Sequence, residues 1–194
     1  IGCPLTSKQM VELPEEFVMD RIIESGKIAQ ELGAKVVGLG AFTSIVGDAG
    51  ITVAKNLDIA VTSGNSYTVA TALEGTREAV RLMGKDLATA HVTIVGASGS
   101  IGAACTRILA REANDITMVA RHLQPLEELA HELSGSIAGK LTVSNDIKHS
   151  LKDADVVLAV TSAVDFLIEP EDLKAGAIVC DVARPRNVDR KSVV

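Results

Sequence analysis

Hydrophobic residues in this chain fall into short continuous runs, which alternate with longer stretches of helical periodicity. In the second half, the apolar runs predict five β-strands, at residues 92–95, 115–122, 140–143, 154–163 and 177–183. Helical segments separate these strands, and strands joined in this way form parallel sheets. The second half therefore predicts an α/β fold built on a Rossmann-type, doubly wound parallel sheet.

The first half predicts a smaller α/β lobe. An amphipathic helix is expected over 14–32, because Pro14 suits the first helical turn and Gly33 ends the pattern. Two strands, at 36–39 and 58–64, flank a short helix at 51–57. A long helix over 66–84 is expected to join the two lobes. These elements predict two domains, 1–84 with the bridging helix and 85–194.

Composition and charge limit the classes of protein to which this chain can belong. Aromatic residues make up only 2% of the 194 residues, so Val, Ile, Leu and Ala must form the core, as in sheets buried on both faces. A net charge of −6 with scattered basic residues argues against a nucleic-acid partner. No apolar run approaches the length of a membrane span. The three cysteines lack metal-ligand spacing, which predicts no metal site and a reducing, cytoplasmic compartment.

The run HVTIVGASGSIG, which begins at His91, carries the clearest functional signal. A short apolar strand leads directly into glycines, and a helix follows them, as at the start of a dinucleotide-binding βαβ unit. Gly96 allows a sharp turn, Gly99 allows the backbone to approach a pyrophosphate, and Gly102 allows the helix to pack closely on the strand. The N–H groups at the helix start would bind phosphate. The predicted cofactor site includes Gly96, Ser98, Gly99, Ser100, Ile101 and Gly102.

The end of the next strand selects the form of the dinucleotide. An acidic residue there typically binds the ribose 2′-hydroxyl of NAD, whereas this strand ends in Arg121, followed by His122. An arginine pairs with a 2′-phosphate, so the sequence favours NADP(H) in the second domain. The alternative is that Arg121 is a solvated surface charge. Thr161 and Ser162, at the end of the fourth strand, are expected near the nicotinamide ribose, with the end of the fifth strand beside them.

Two polar loops of the first domain are candidates for a substrate cleft. Each follows a strand, so both should open on one side of their sheet. The candidate residues are Phe42, Thr43 and Ser44 in the first loop and Asn65, Ser66 and Tyr67 in the second. The second loop also suits the N-terminal cap of the long helix, and the two roles are compatible.

These loops and the glycine run together resemble the long-chain acyl-(acyl-carrier-protein) reductase family of cyanobacteria and related bacteria. The chain reads GLGAFTSIVGD, TSGNSYTVA and VTIVGASGSIGAA followed by VAR, where the family has loops of the GGFTSI, TTGN and GATGDIG types and a strand ending in Ala-Arg. The order and spacing agree over roughly residues 30 to 190. The family is similar in plan to shikimate dehydrogenase and glutamyl-tRNA reductase.

The resemblance implies an NADPH-dependent oxidoreductase that converts fatty acyl thioesters to aldehydes through a cysteine acyl-enzyme. The family's nucleophile follows the nucleotide domain. None of the three cysteines here matches it, so we expect it beyond Val194, in a chain whose ends look truncated. The substrate would be a small molecule or an acyl group on a carrier, and acyl carrier protein is one candidate partner. Chain length, ACP or CoA as carrier, and the oligomeric state, homo-oligomers included, stay open.

Two other functions remain in consideration. A shikimate- or quinate-type NADP-dependent dehydrogenase needs an aspartate in a GxNTD motif, and Tyr67 stands at that position in GNSYT. A non-catalytic NADP-binding module would keep the glycine run without the chemistry.

Overall fold

The computed structural model describes residues 1–137, 139–161, 168–183 and 186–188. Its contacts divide the chain into two units, Ile1–Ser66 and Tyr67–Val194. This boundary groups nearly all of the long helix with the second unit, whereas the sequence placed the boundary after that helix. The functional roles assigned to the two domains stay predictions.

The first unit is a small parallel α/β arrangement. It contains α1 (Ser7–Glu12), α2 (Glu15–Glu31), β1 (Val36–Gly38), a 3-10 turn at Ala41–Ser44, α3 (Ile51–Lys55) and β2 (Ala60–Thr62). The two strands pair in parallel, with Val37 opposite Val61. Buried side chains of α1, α2 and α3 form the core of this unit together with Leu39.

The helix limits in this unit have local causes. Glu15 and Glu16 lie in the first turn of α2, where their charges complement the helix dipole, and Gly33 follows the helix with φ +89°. α1 was not expected from the sequence. Thr6 and Gln9 cap its start reciprocally through side chain and backbone, and Met10 is its buried residue.

The second unit carries the five-stranded sheet. Its elements are α4 (Asn65–Leu82), β3 (His91–Val95), α5 (Ser100–Leu109), β4 (Asp115–Val119), α6 (Gln124–Leu133), β5 (Lys140–Ser144), α7 (Ile147–Leu151), β6 (Val156–Ala159), a 3-10 turn at Pro170–Asp172 and β7 (Ile178–Asp181). The strand order is β5-β4-β3-β6-β7, and every pairing is parallel. The predicted Rossmann-type fold is confirmed.

Burial explains why the sequences of these strands are continuous apolar runs. The last four residues of β3 and of β4 and all of β6 are buried, because helices cover both faces of the sheet. Valine, isoleucine and leucine dominate these positions. Three strands of this sheet, β4, β6 and β7, are shorter than predicted. β4 ends at Val119 rather than at His122, so Arg121 lies two residues beyond the strand.

Within the described residues, none of the helices combines the length and the apolar composition that crossing a membrane requires.

Candidate dinucleotide-binding site

The glycine turn lies where the strand order of the sheet reverses. β3 pairs with β4 on one side and with β6 on the other, and ligands of such sheets bind in the crevice at the carboxyl ends of these strands. Gly96 directly follows β3 and adopts φ +92°, a conformation that favours glycine. The N–H groups of Gly96 and Ala97 both donate to the carbonyl oxygen of Val119, at 2.8 and 3.2 Å. The turn is therefore fixed to the end of β4.

Gly102 and Gly99 differ in the atoms that surround them. A Cβ atom at Gly102 would lie nearest the Gly96 carbonyl oxygen and only 2.7 Å from the Ala97 Cα. A Cβ at Gly99 would meet only the Gly96 oxygen, at 3.4 Å. Gly102 thus brings α5 close to the turn, whereas Gly99 leaves open space at the helix start.

The start of α5 has the features of a phosphate site. Gly99 is its N-terminal cap residue and makes no side-chain capping bond, and no acidic side chain occupies the first turn. Ser98, Gly99 and Ser100 are exposed. Backbone N–H groups at a helix start favour an anion, so this backbone suits a pyrophosphate.

Arg121 and His122 follow β4 on the exposed surface. The chain leaves the sheet just before them, where the Ala120 N–H donates to the Ser144 carbonyl at 3.2 Å. Val119, two residues before Arg121, accepts the bonds from the glycine turn. The backbone therefore ties the arginine's segment to the glycine turn, at the side of the switch point where the adenosine half of a dinucleotide lies.

Thr161 borders the glycine turn on the other side. It follows β6, and a Cβ at Gly96 would lie 2.9 Å from the Thr161 Cγ2 atom and 3.0 Å from its backbone nitrogen. Its hydroxyl donates to the Asn187 Oδ1 atom at 2.7 Å. The structure therefore brings Gly96 and Thr161 together. Ser162, the neighbouring candidate, lies outside the described residues.

The candidates in the first loop of the first unit have local roles in the structure. Phe42 is half-buried against the core of this unit. The Thr43 hydroxyl donates to the Gly40 carbonyl at 2.7 Å, and the Ser44 hydroxyl donates to the Ala41 carbonyl at 2.9 Å. These bonds stabilise the 3-10 turn.

The second loop leads into α4. The Asn65 N–H lies 3.5 Å from the Ser63 hydroxyl oxygen, which accepts this long hydrogen bond at the helix start. Ser66 is exposed, and so is Tyr67, with 76% of its surface accessible. The role of these residues in binding substrate stays a prediction.

Cys105 does not offer an activated thiol. Cys105 lies on α5 and is fully buried. Burial, together with the nearby Cys180, raises the pKa of the Cys105 thiol to about 11. Because the thiolate is the nucleophilic form, Cys105 is a core residue rather than a nucleophile.

Asn187 was not among the residues expected at the site. It is buried and contacts Thr161, although 26 residues separate the two along the chain. No local sequence signal marks such a pairing.

The strand order, the glycine turn at the switch point and the close approach of α5 define a Rossmann-type nucleotide-binding domain of the kind found in NAD(P)-dependent oxidoreductases. The chain belongs to the family described as shikimate / quinate 5-dehydrogenase, whose model matches residues 77–193.

The individual relatives include two kinds of reductase and one aminotransferase. The chain is 30% identical to the aminotransferase PigE of a Serratia species, over 96% of this chain and 22% of the relative. It is 28% identical to the long-chain acyl-(acyl-carrier-protein) reductase of Synechococcus elongatus, over 88% of this chain and 51% of the relative. The glutamyl-tRNA reductase of Bacillus pumilus is 26% identical over 97% of this chain and 40% of its own length.

Among solved structures, dipicolinate synthase from Bacillus halodurans has a TM-score of 0.53 and 16% identity, and the match covers 81% of this chain and 54% of that one. This likeness supports the fold. The resemblance to acyl-(acyl-carrier-protein) reductases is confirmed, and the domain is of the type found in NAD(P)-dependent reductases and dehydrogenases. The chain spans between about a fifth and a half of the length of these curated relatives.

Proposed function

We propose that this chain is the NADP(H)-binding part of a reductase that converts fatty acyl thioesters to aldehydes. The observation that carries the proposal is the glycine turn at the switch point, with its phosphate-suited helix start and with Arg121 beyond β4. The substrate class comes from the acyl-(acyl-carrier-protein) reductase that matches most of this chain.

The residues fit a 2′-phosphorylated dinucleotide. The space beside Gly99 would admit the pyrophosphate, and the exposed Arg121 would pair with the 2′-phosphate. When bound, the cofactor supplies a hydride. The chain's own part is to orient the cofactor from the backbone of the turn and to distinguish the two dinucleotides through Arg121.

Charge reversal at Arg121 tests this cofactor assignment. We expect Arg121→Asp to lower the affinity for NADPH at least about tenfold and the affinity for NADH much less, because only NADPH carries the 2′-phosphate. Dissociation constants come from titration of reduced-nicotinamide fluorescence. Arg111→Asp is the matched control, since this exposed arginine follows the C-terminal end of α5, and the length of that helix, roughly 15 Å, separates it from the glycine turn. Equal losses for both nucleotides would overturn the assignment to NADP(H).

The thioester step needs a nucleophile that Cys105 does not supply. We propose that a cysteine outside this chain forms the acyl-enzyme and that carrier-bound acyl groups, on acyl carrier protein or CoA, are the substrates. The polar loops of the first unit, with Phe42, Thr43 and Ser44 and with Asn65, Ser66 and Tyr67, are proposed to contact the substrate. The three cysteines are unpaired, which supports a reducing, cytoplasmic setting.

The substrate proposal is tested by turnover of the full-length protein. With NADPH and either acyl-CoA or acyl-(acyl carrier protein), the protein should consume NADPH and release aldehyde, detected by gas chromatography. Arg121→Asp should lose this activity at low NADPH and recover it at high NADPH. Nucleotide binding without turnover would favour a non-catalytic NADP-binding module instead.

A shikimate- or quinate-type dehydrogenase is the second candidate, and the family match over residues 77–193 favours it. Tyr67 occupies the position of the aspartate that this activity needs. Reduction of NADP⁺ with shikimate or quinate, and no aldehyde from acyl thioesters, would establish this candidate in place of the first.

A further inference from the structure

The segment after β7 is held by one carboxylate. Asp181, the last residue of β7, accepts a hydrogen bond from the Ala183 N–H at 3.0 Å through Oδ1. Its Oδ2 atom accepts from the N–H groups of Asn187 and Val188, at 2.9 and 3.1 Å. Asp181 therefore holds the backbone at Ala183 and at Asn187 next to the end of β7.

Asn187 is the residue that this arrangement places most tightly. It is fully buried, with no accessible surface, and its carbonyl accepts a bond from the Ile168 N–H at 3.1 Å. Its side-chain Oδ1 atom accepts the hydrogen bond from the Thr161 hydroxyl at 2.7 Å. A buried amide is costly unless its hydrogen bonds are made, so this contact sets where the Thr161 hydroxyl points.

The orientation of Thr161 matters because its other branch faces the glycine turn. With the hydroxyl directed to Asn187, the Cγ2 methyl lies against Gly96, 2.9 Å from where a Cβ of that residue would be. The contact joins the carboxyl ends of β3 and β6, which are neighbours in the sheet. In this fold, that is the side of the switch point away from the adenosine half.

We propose that Asn187 is a positioning residue for the nicotinamide half of the dinucleotide site. It fixes Thr161 against the glycine turn, and Asp181 holds the segment that carries Asn187. The inference rests on the proposed NADP(H) binding. The surface beside the nicotinamide is thereby formed before the cofactor binds, which lowers the ordering cost of binding that half of the molecule.

Two ligands separate this role from a purely structural one. NADPH spans both halves of the site, whereas adenosine 2′,5′-bisphosphate carries the 2′-phosphate and lacks nicotinamide. Both affinities are measured by calorimetry on the whole chain. We expect Asn187→Ala and Thr161→Val to lower the affinity for NADPH about tenfold and the affinity for the bisphosphate by less than about twofold. The fluorescence of bound NADPH should also change, because it reports the nicotinamide environment.

Three further variants complete the design. Thr161→Ser keeps the hydroxyl and should restore most of the NADPH affinity lost in Thr161→Val. Thr142→Val, the same change on the edge strand β5, should leave both affinities unchanged. Arg121→Asp should weaken the binding of both ligands, since each carries the 2′-phosphate. If Asn187→Ala does not fold, Thr161→Val removes the same hydrogen bond with Asn187 in place.

Equal weakening of both ligands by Thr161→Val, or unchanged NADPH affinity, would overturn the positioning role while leaving NADP(H) binding intact. Failure of the wild-type chain to bind either ligand would instead overturn the proposed function, and this inference with it.

Discussion

Replacing Gly102 by alanine tests the close approach on which the nucleotide site depends. The added methyl would lie 2.7 Å from the Ala97 Cα and 2.9 Å from the Gly96 carbonyl carbon, whereas ordinary contacts begin near 3.4 Å. The methyl and the Ala97 Cα must therefore separate by about 0.7 Å, and the methyl and the Gly96 carbonyl oxygen, which lies nearer still, by more. All of them belong to the backbone of the turn, so no side chain can move aside, and α5 or the turn must shift.

The expected cost follows from two opposing effects. Overpacking costs about 1–3 kcal/mol, and backbone contacts belong at the upper end of that range. Alanine in a helix is favoured over glycine by about 1 kcal/mol, which offsets part of this cost. We expect the free energy of unfolding to fall by about 1–2 kcal/mol, which corresponds to a fall in Tm of roughly 2–8 °C for a chain of this size. NADPH affinity should fall as well, because the phosphate-binding backbone is displaced.

Gly75 provides the matched control. It is an exposed glycine within α4, and a Cβ there would meet nothing within 4 Å. Gly75→Ala should therefore raise the stability by up to about 1 kcal/mol and leave NADPH binding unchanged. Thermal unfolding followed by circular dichroism compares the two variants. If Gly102→Ala were as stable as Gly75→Ala and bound NADPH normally, the packing argument would be refuted.

Three other predictions concern groups away from the nucleotide. Burial opposes ionisation of Asp155, but hydrogen bonds from Lys85 at 2.8 Å and Lys174 hold its pKa well below the usual value. The stabilisation from the ionised carboxylate should be complete above about pH 4 and decline below it. Asp155→Asn should therefore be destabilising at pH 7 in denaturant titrations, and the difference from the wild type should shrink in acid. Ala49 adopts φ +59°, so Ala49→Gly should raise Tm by relieving about 1 kcal/mol of strain, and a lower Tm would contradict the conformation. Cys105, with its pKa raised to about 11, should resist alkylation at pH 8 until the protein unfolds, as mass spectrometry of labelled peptides would show.

Much of the fold could be predicted because its signals are local. Apolar runs predicted the strands of the second unit, and the helices between the runs predicted that the strands pair in parallel. The glycines of the turn were predictable for the same reason, since each performs its role within seven residues. The short helix α1 was missed, because its capping box spans only Thr6 to Gln9 and its apolar face is small.

Other features depended on residues that are distant along the chain. The sequence extended the strand after α5 to His122, but β4 ends at Val119, whose carbonyl accepts both N–H groups of the glycine turn. The contact between Thr161 and Asn187 likewise spans 26 residues. Hydrophobic periodicity does not report hydrogen bonds between the ends of different strands.

The sequence by itself determined the class of fold and the place of the glycine turn, because residue type and spacing fix local backbone geometry. Only the tertiary structure decided the strand order β5-β4-β3-β6-β7 and the packing of Gly96 against Thr161. It also decided the burial of Asn187 beside them. These depend on which strands become neighbours, and that is settled by packing of the whole sheet rather than by any short stretch of chain.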